Sequence, residues 1–175
     1  MIVGAHRLAD DLPAPRVLAG IRSGAVSAHE RFFRADLGRW VRSRCGVALP
    51  AERTAVSWRG CLGEGVSASG ELALAMGLRH PDVYGTVLCS SPGGGYRRSS
   101  PGGGYRPPAD LPGSLPRTVR RAGAREPFFL RNAIRWADVP REAGAGVVVT
   151  ERAGSHGGPF RREEFPLRVA WAFGS

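Results

Sequence analysis

Lysine and glutamine are absent from this chain, and asparagine occurs once, at Asn132. All 25 basic residues are therefore arginine; against 15 acidic residues they give a net charge of +10. Such a balance is the footprint of a polyanion binder. The arginines, however, are scattered along the chain and not massed in one stretch, and the shortage of Lys, Gln and Asn beside abundant Ala, Gly, Pro and Arg fits a GC-rich coding bias. Attraction of polyanions is expected to be non-specific, with no specific nucleic-acid partner. Cysteine is scarce: Cys45, Cys61 and Cys89 are three in number, widely spaced and without a CxxC pair, which excludes a disulfide framework or a zinc site of the usual spacing. His6, His29, His80 and His156 form no HxH or HxxxH pair, so no metal and no cofactor is expected. No apolar run reaches transmembrane length, so no membrane association is expected. The N-terminus lacks a basic stretch followed by an apolar segment, so a cytoplasmic location is the expectation.

What the sequence does hold is enough for one core: 175 residues, of which 42% are apolar, read as a single domain over 1–175. Residues 1–5 read as a short strand and residues 7–26, with prolines and glycines and no period, as a loop. Ser27 and Glu30 have capping-box spacing, and Phe33, Leu37, Trp40 and Val41 then share one helical face up to Arg44. A strand is expected over 52–57, a helix over 71–79 that stops before His80–Pro81, and a buried strand over 83–89. A weaker strand covers 115–122. A helix opens at Glu126–Pro127, buries Phe129, Ala133, Trp136 and Ala137, and ends at Pro140. A β-branched strand covers 146–150, ERAGSHGGPF reads as a loop, and residues 165–173 as a closing helix. Such alternation implies an α/β fold with a mostly parallel sheet and helices on its faces.

Residues 90–107 contain a direct repeat of period nine, SSPGGGYRR followed by SSPGGGYRP. Two copies are too few for a solenoid, and triple glycines beside proline disfavour a regular element. A stacking segment for single-stranded nucleic acid or a phosphate-cradling glycine loop would use such residues, but the P-loop lysine is missing. A tandem duplication in a mobile loop over 90–108 is the simpler reading.

The chemistry gathers around Gly65-Val66-Ser67-Ala68-Ser69. Small residues two before and two after a serine are what a tight strand-to-helix turn demands, and they suit Ser67 as a nucleophile. The helix that follows turns its N-terminus, including the N–H of Ala68, toward the reaction centre, where it can stabilise an oxyanion. Such a serine needs a base and the base an orienting acid, in the chain order Ser, acid, His. His80 ends the helix that starts beside Ser67 and is about a helix length away; His156, in the Gly-rich GSHGG, is the candidate base. Asp82, Asp110, Glu126, Asp138, Glu142 and Glu151 lie between Ser67 and His156. Glu126 follows the strand before last, the place of a triad acid, although a carboxylate at a helix start also suits the helix dipole.

GVSASGELALAMGLRHPDVYG, AGAREPFFLRNAIRW and ERAGSHGGPFRREEFP, in that order, resemble the esterase family of the α/β-hydrolase superfamily that includes the enterochelin esterases. The resemblance implies a three-layer sandwich, an ester-hydrolysing activity without cofactor or metal, a small-molecule ester as substrate, Ser67 as nucleophile, His156 as base and Glu126 as acid. The family has further strands before its nucleophile, one of which leads to the loop donating a second oxyanion N–H. The chain is expected to be an N-terminally truncated, partial domain whose exposed sheet edge an oligomer or a partner chain would cover. Loss of one oxyanion donor costs roughly 10²–10³ in rate. The alternative reading is a catalytically inactive remnant, or a basic protein binding polyanions or RNA non-specifically.

Overall fold

The apolar runs around Val56, Val87, Val119 and Val148 become strands. In a computed structural model that describes residues 30–57, 68–92, 113–154 and 159–174, these are β1 (Ala55–Ser57), β2 (Thr86–Ser90), β3 (Arg117–Gly123) and β4 (Val147–Arg152). Among the described residues they form one all-parallel sheet in the order β1-β2-β3-β4. Helix α1 (Leu37–Cys45) follows the segment whose Phe33 reaches the core, and helices α2 (Ala68–Arg79), α3 (Pro127–Glu142) and α4 (Pro159–Phe173) pack on the sheet. The expected strand at 1–5, the loop at 7–26 and Ser27 of the capping box lie outside the described residues, as do residues 58–67 and 93–112.

Alternation along the strands divides the core in two. Val56, Val87 and Cys89 face α2, where Ala73, Leu74, Met76 and Leu78 meet them with Tyr84 and part of Phe33. Leu88 and Val119 face the other way, onto Ala172, Val169 and Trp171 of α4. Helices thus lie on both faces. Gly77 permits the close approach of α2: a Cβ there would collide with Val87. On the α2 side Thr118 and Arg120 of β3 are buried beneath α3, and Ala133 and Ala137, one turn apart, leave room for the arginine. Its guanidinium reaches the Ala133 carbonyl at 3.5 Å.

Several element limits differ from the sequence expectation, each for an identifiable reason. A π-helical segment, Phe32–Asp36, precedes α1. Its i→i+5 turns advance less per residue than the about 100° of an α-helix, so the helix beyond it is rotated back. Val41 then falls under the core, while Trp40, expected inside, is 52% exposed. Both carboxylate oxygens of Glu30 face α2, at 3.1 Å from Arg79 and 2.7 Å from His80 Nε2. Residues 51–53 form a 3₁₀ turn, which shortens the expected strand to β1. Its Ala51 carbonyl and that of Thr54 accept the N–H of Gly85. Val83 belongs to the turn after α2, so β2 starts at Thr86.

Helix α2 begins three residues before Glu71, and α3 continues two residues past Pro140. A proline in the last turn forfeits one backbone bond, and the chain closes with Ala145 N–H on the Pro140 carbonyl. Ala133 and Ala137 of α3 are buried and Phe129 is half-buried; the side chain of Trp136 lies outside the described part. Strand β4 runs on through Glu151 and Arg152, which pair with Ala122 and Gly123 of β3. Helix α4 opens at Pro159, ahead of the expected Phe165.

Tyr84 ties the π-helical segment before α1 to this frame by donating its hydroxyl to the Phe33 carbonyl at 2.7 Å. Burial pushes its pKa up from 10.0 to about 12. A raised folded-state pKa gives stability that is complete below the unfolded value and lost as pH rises through the folded one. Ionisation should therefore remove about 2–3 kcal/mol between roughly pH 10 and 12. Tyr84→Phe is expected to cost about 1 kcal/mol at neutral pH and to flatten this alkaline decline. Denaturant melts at pH 8 and pH 11 check it.

Candidate active site

Because all four strands run the same way, their C-terminal ends share one edge of the sheet. Three stretches of described chain meet there, Ser90–Pro92 at the end of β2, Gly123–Glu126 at the end of β3 and Arg152–Gly154 at the end of β4. A fourth, the start of α2, lies toward the same edge, since the end of α2 leads into the start of β2 at the other. Ser67 and His156 lie outside the described residues, each beside one of these stretches. Ala68 is the first residue of α2. Its N–H is among the first four of a helix, which have no intrahelical acceptor.

Glu126 is the candidate whose side chain is described. It caps α3: its carbonyl accepts the Leu130 N–H at 2.9 Å, and Pro127 supplies the pre-set φ of the first helical residue. The residue is only 4% exposed, unlike a solvated acid interacting with a helix dipole. Oε2 accepts the Ser91 hydroxyl at 2.7 Å and the Gly123 N–H at 2.8 Å. Two donors on one oxygen fix the plane of the carboxylate.

The backbone around this acid is tied directly to the strand end that leads to the histidine. Arg125 N–H donates to the Gly154 carbonyl at 3.0 Å, and Ala124 N–H to the Arg152 carbonyl at 2.7 Å. Gly123 is required at the crossing, since a Cβ there would collide with the Gly154 carbonyl. The residue before the acid is thus hydrogen-bonded to the residue two before His156.

Ser91 sits where the first copy of the SSPGGGYR repeat begins. The sequence places it in a mobile loop; in the structure Ser91 and Pro92 are buried, and Ser91 N–H donates to the Arg121 carbonyl at 2.7 Å. The rest of the repeat, from Gly93, lies outside the described residues.

On the α4 face the same edge carries an ionic group. Glu164, 2% exposed, pairs with both Arg121 and Arg152, and Glu163 meets Arg152 at 2.8 Å. Arg168 donates to the Ser90 hydroxyl. Farther down α4, the Arg117 guanidinium lies 4.4 Å from the Trp171 ring centroid. Burial, and then the charge of Arg152, lower the pKa of Arg121. These contacts fasten the helix that follows His156 to the strand that precedes it. Sequence reading missed this group; Arg152 and the Glu163–Glu164 pair are opposite charges flanking the GSHGG segment, which is the only signal they leave.

His80, at the far end of α2, is buried and bonded to Glu30, away from this edge. Among the described residues no three His, Cys, Asp or Glu side chains are placed to hold a metal ion. No described helix is long and apolar enough to cross a membrane.

No protein-family model matches the sequence, and no curated protein matches it. Solved structures do. The chain is similar to the enterobactin esterase of Shigella flexneri, crystallised in the presence of 2,3-dihydroxy-N-benzoyl-glycine, with a TM-score of 0.67 at 21% identity over 84% of this chain and 38% of that one. The fold is of the α/β-hydrolase type. A second structure, of enterochelin esterase from the same organism, gives a TM-score of 0.63 at 20% identity over 80% of this chain. A ferulic acid esterase gives 0.59 at 17% identity, over 82% of this chain and 60% of its own. The chain spans 35–38% of the length of the chains in these two Shigella structures. In an α/β-hydrolase fold the ends of parallel strands are where the catalytic loops gather, which is the edge that carries Glu126, Gly154 and the start of α2.

Proposed function

We propose that this protein is a serine hydrolase acting on carboxylic esters. The Ser67 hydroxyl attacks the ester carbonyl while His156 takes its proton, and the Ala68 N–H stabilises the oxyanion of the tetrahedral intermediate. Collapse breaks the bond to the alkoxide, which leaves with the proton from His156. Water, deprotonated by His156, then attacks the acyl-enzyme, and the acid departs with Ser67 restored. Glu126 orients the imidazole and stabilises it while it is charged. No cofactor or metal takes part in these steps.

The observation that carries this reading is the bond from Arg125 N–H to the Gly154 carbonyl, beside the buried Glu126 carboxylate. It joins the backbone of the acid to the strand end leading to the histidine, at the edge where α2 begins behind Ser67. The likeness to esterases of known structure supports the same reading. A basic polyanion binder is less well supported, because Arg79, Arg121, Arg152 and Arg168 are engaged in contacts within the fold.

The test is turnover of a short-chain p-nitrophenyl ester by the full chain, with p-nitrophenyl phosphate and an acyl nitroanilide as controls. Hydrolysis of the ester above the buffer rate, and faster than either control, is the expected result. Ester, phosphate and anilide all at the buffer rate would overturn the proposal.

A further inference from the structure

Ser91 holds a conformation that serine rarely adopts. Its φ is +42°, in the left-handed region, and it is the only described non-glycine residue with positive φ. Glycine would take this backbone at no steric cost, so the sequence keeps a side chain where the backbone would favour none. Serine is also completely buried, which excludes solvent as the partner of its hydroxyl. Two bonds account for its being held there: the N–H to the Arg121 carbonyl at 2.7 Å, and the hydroxyl to Glu126 Oε2 at 2.7 Å. Only the second needs a serine. Strained residues retained in this way are found disproportionately where they serve a site.

We propose that Ser91 is a positioning residue for the triad acid, an inference that rests on the reading of Glu126 as the orienting carboxylate. Its hydroxyl approaches Oε2 from the β2 side, while the Gly123 N–H approaches from β3. One donor directly follows β2 and the other ends β3, so the register Leu88–Val119 and Ser90–Arg121 that pairs these strands is transmitted to the carboxylate. Without the hydroxyl, Oε2 loses one of these two donors and the plane of the carboxylate is held less firmly. The donor also draws off part of the negative charge that the imidazolium feels.

Ser91→Gly tests this without straining the fold, since glycine relieves the positive φ. Expected is a fall in kcat of about tenfold to a hundredfold, the scale of a misplaced catalytic group, with KM within about twofold of wild type. The acid limb of the pH–rate profile should move to higher pH by a few tenths of a unit, because a carboxylate with one donor fewer favours the imidazolium more strongly. The melting temperature should stay within about 3 °C. In a Glu126→Gln background, Ser91→Gly should have no further effect. Ser91→Ala should show the same kinetic change together with a lower melting temperature. Wild-type kcat and an unmoved pH profile in Ser91→Gly would overturn the inference while leaving the esterase reading intact. Full activity in Glu126→Gln would instead overturn the role of Glu126, and the inference with it.

Discussion

Ser67→Ala is expected to slow hydrolysis of a short-chain p-nitrophenyl ester by about 10⁴–10⁶-fold, the range found when a triad nucleophile is removed. The size follows from the proposed division of labour. Only the serine oxygen forms the covalent bond, so its loss removes the acyl-enzyme route altogether. What survives is whatever the oxyanion N–H and substrate binding supply to attack by water. KM should change little, because the hydroxyl contributes mainly to the transition state. Removing His156 in addition should cost almost nothing further, since the two act as one unit. Parallel kcat and KM measurements on Ser67→Ala, His156→Ala and the double variant check all three statements. Equal rates for wild type and Ser67→Ala would remove Ser67 from the mechanism.

The largest effect on stability is expected at Glu164. Its carboxylate, 2% exposed, lies between Arg121 and Arg152, whose side chains are 21% and 37% exposed. Glu164→Gln keeps the shape and removes the charge. Two guanidinium groups are then left close together with one exposed acid, Glu163, for company. Breaking a fully buried pair costs about 3–5 kcal/mol. Partial exposure of both arginines lets water screen them, which brings the expected loss to about 2–3 kcal/mol. In a chain of this size that is a fall in melting temperature of about 5–10 °C. Glu163→Gln is the control: its partner distance of 2.8 Å is good, but at 60% exposure the pair should be worth less than about 1 kcal/mol. A Glu164→Gln variant as stable as wild type would mean that the ionic group does not fasten α4 to the sheet.

Much of the frame is legible in the sequence because it depends on local signals. The apolar runs near Val87 and Val148, the helix stop at His80–Pro81 and the Glu126–Pro127 helix start all appear as read, within a few residues. The parallel sheet follows from the alternation of such elements. What is not legible depends on partners distant in sequence. Trp40 is turned outward by a π-helical segment that no periodicity announces. Arg120 is buried because two alanines of α3 cover it, a match of residues 13 or more apart. Glu126 could be picked out by its order in the chain, but its buried carboxylate, with one donor three residues back and another 35 residues back, could not. Ser91 looks like part of a glycine-rich repeat, and only the β2–β3 register brings it to Glu126. Ala68, after Ser67, starts α2, and Gly154, two residues before His156, ends the β4 stretch at the sheet edge that carries Glu126, which is as far as the described chain carries the site.

The most direct test of the central claim is to treat the full chain with an alkyl fluorophosphonate and map the adduct by tandem mass spectrometry. Reagents of this kind capture a serine whose hydroxyl an adjacent base has activated. One adduct per chain, on Ser67, absent from Ser67→Ala and strongly slowed in His156→Ala, is the result this account expects. An unmodified chain, or an adduct on another serine such as Ser69, would contradict it.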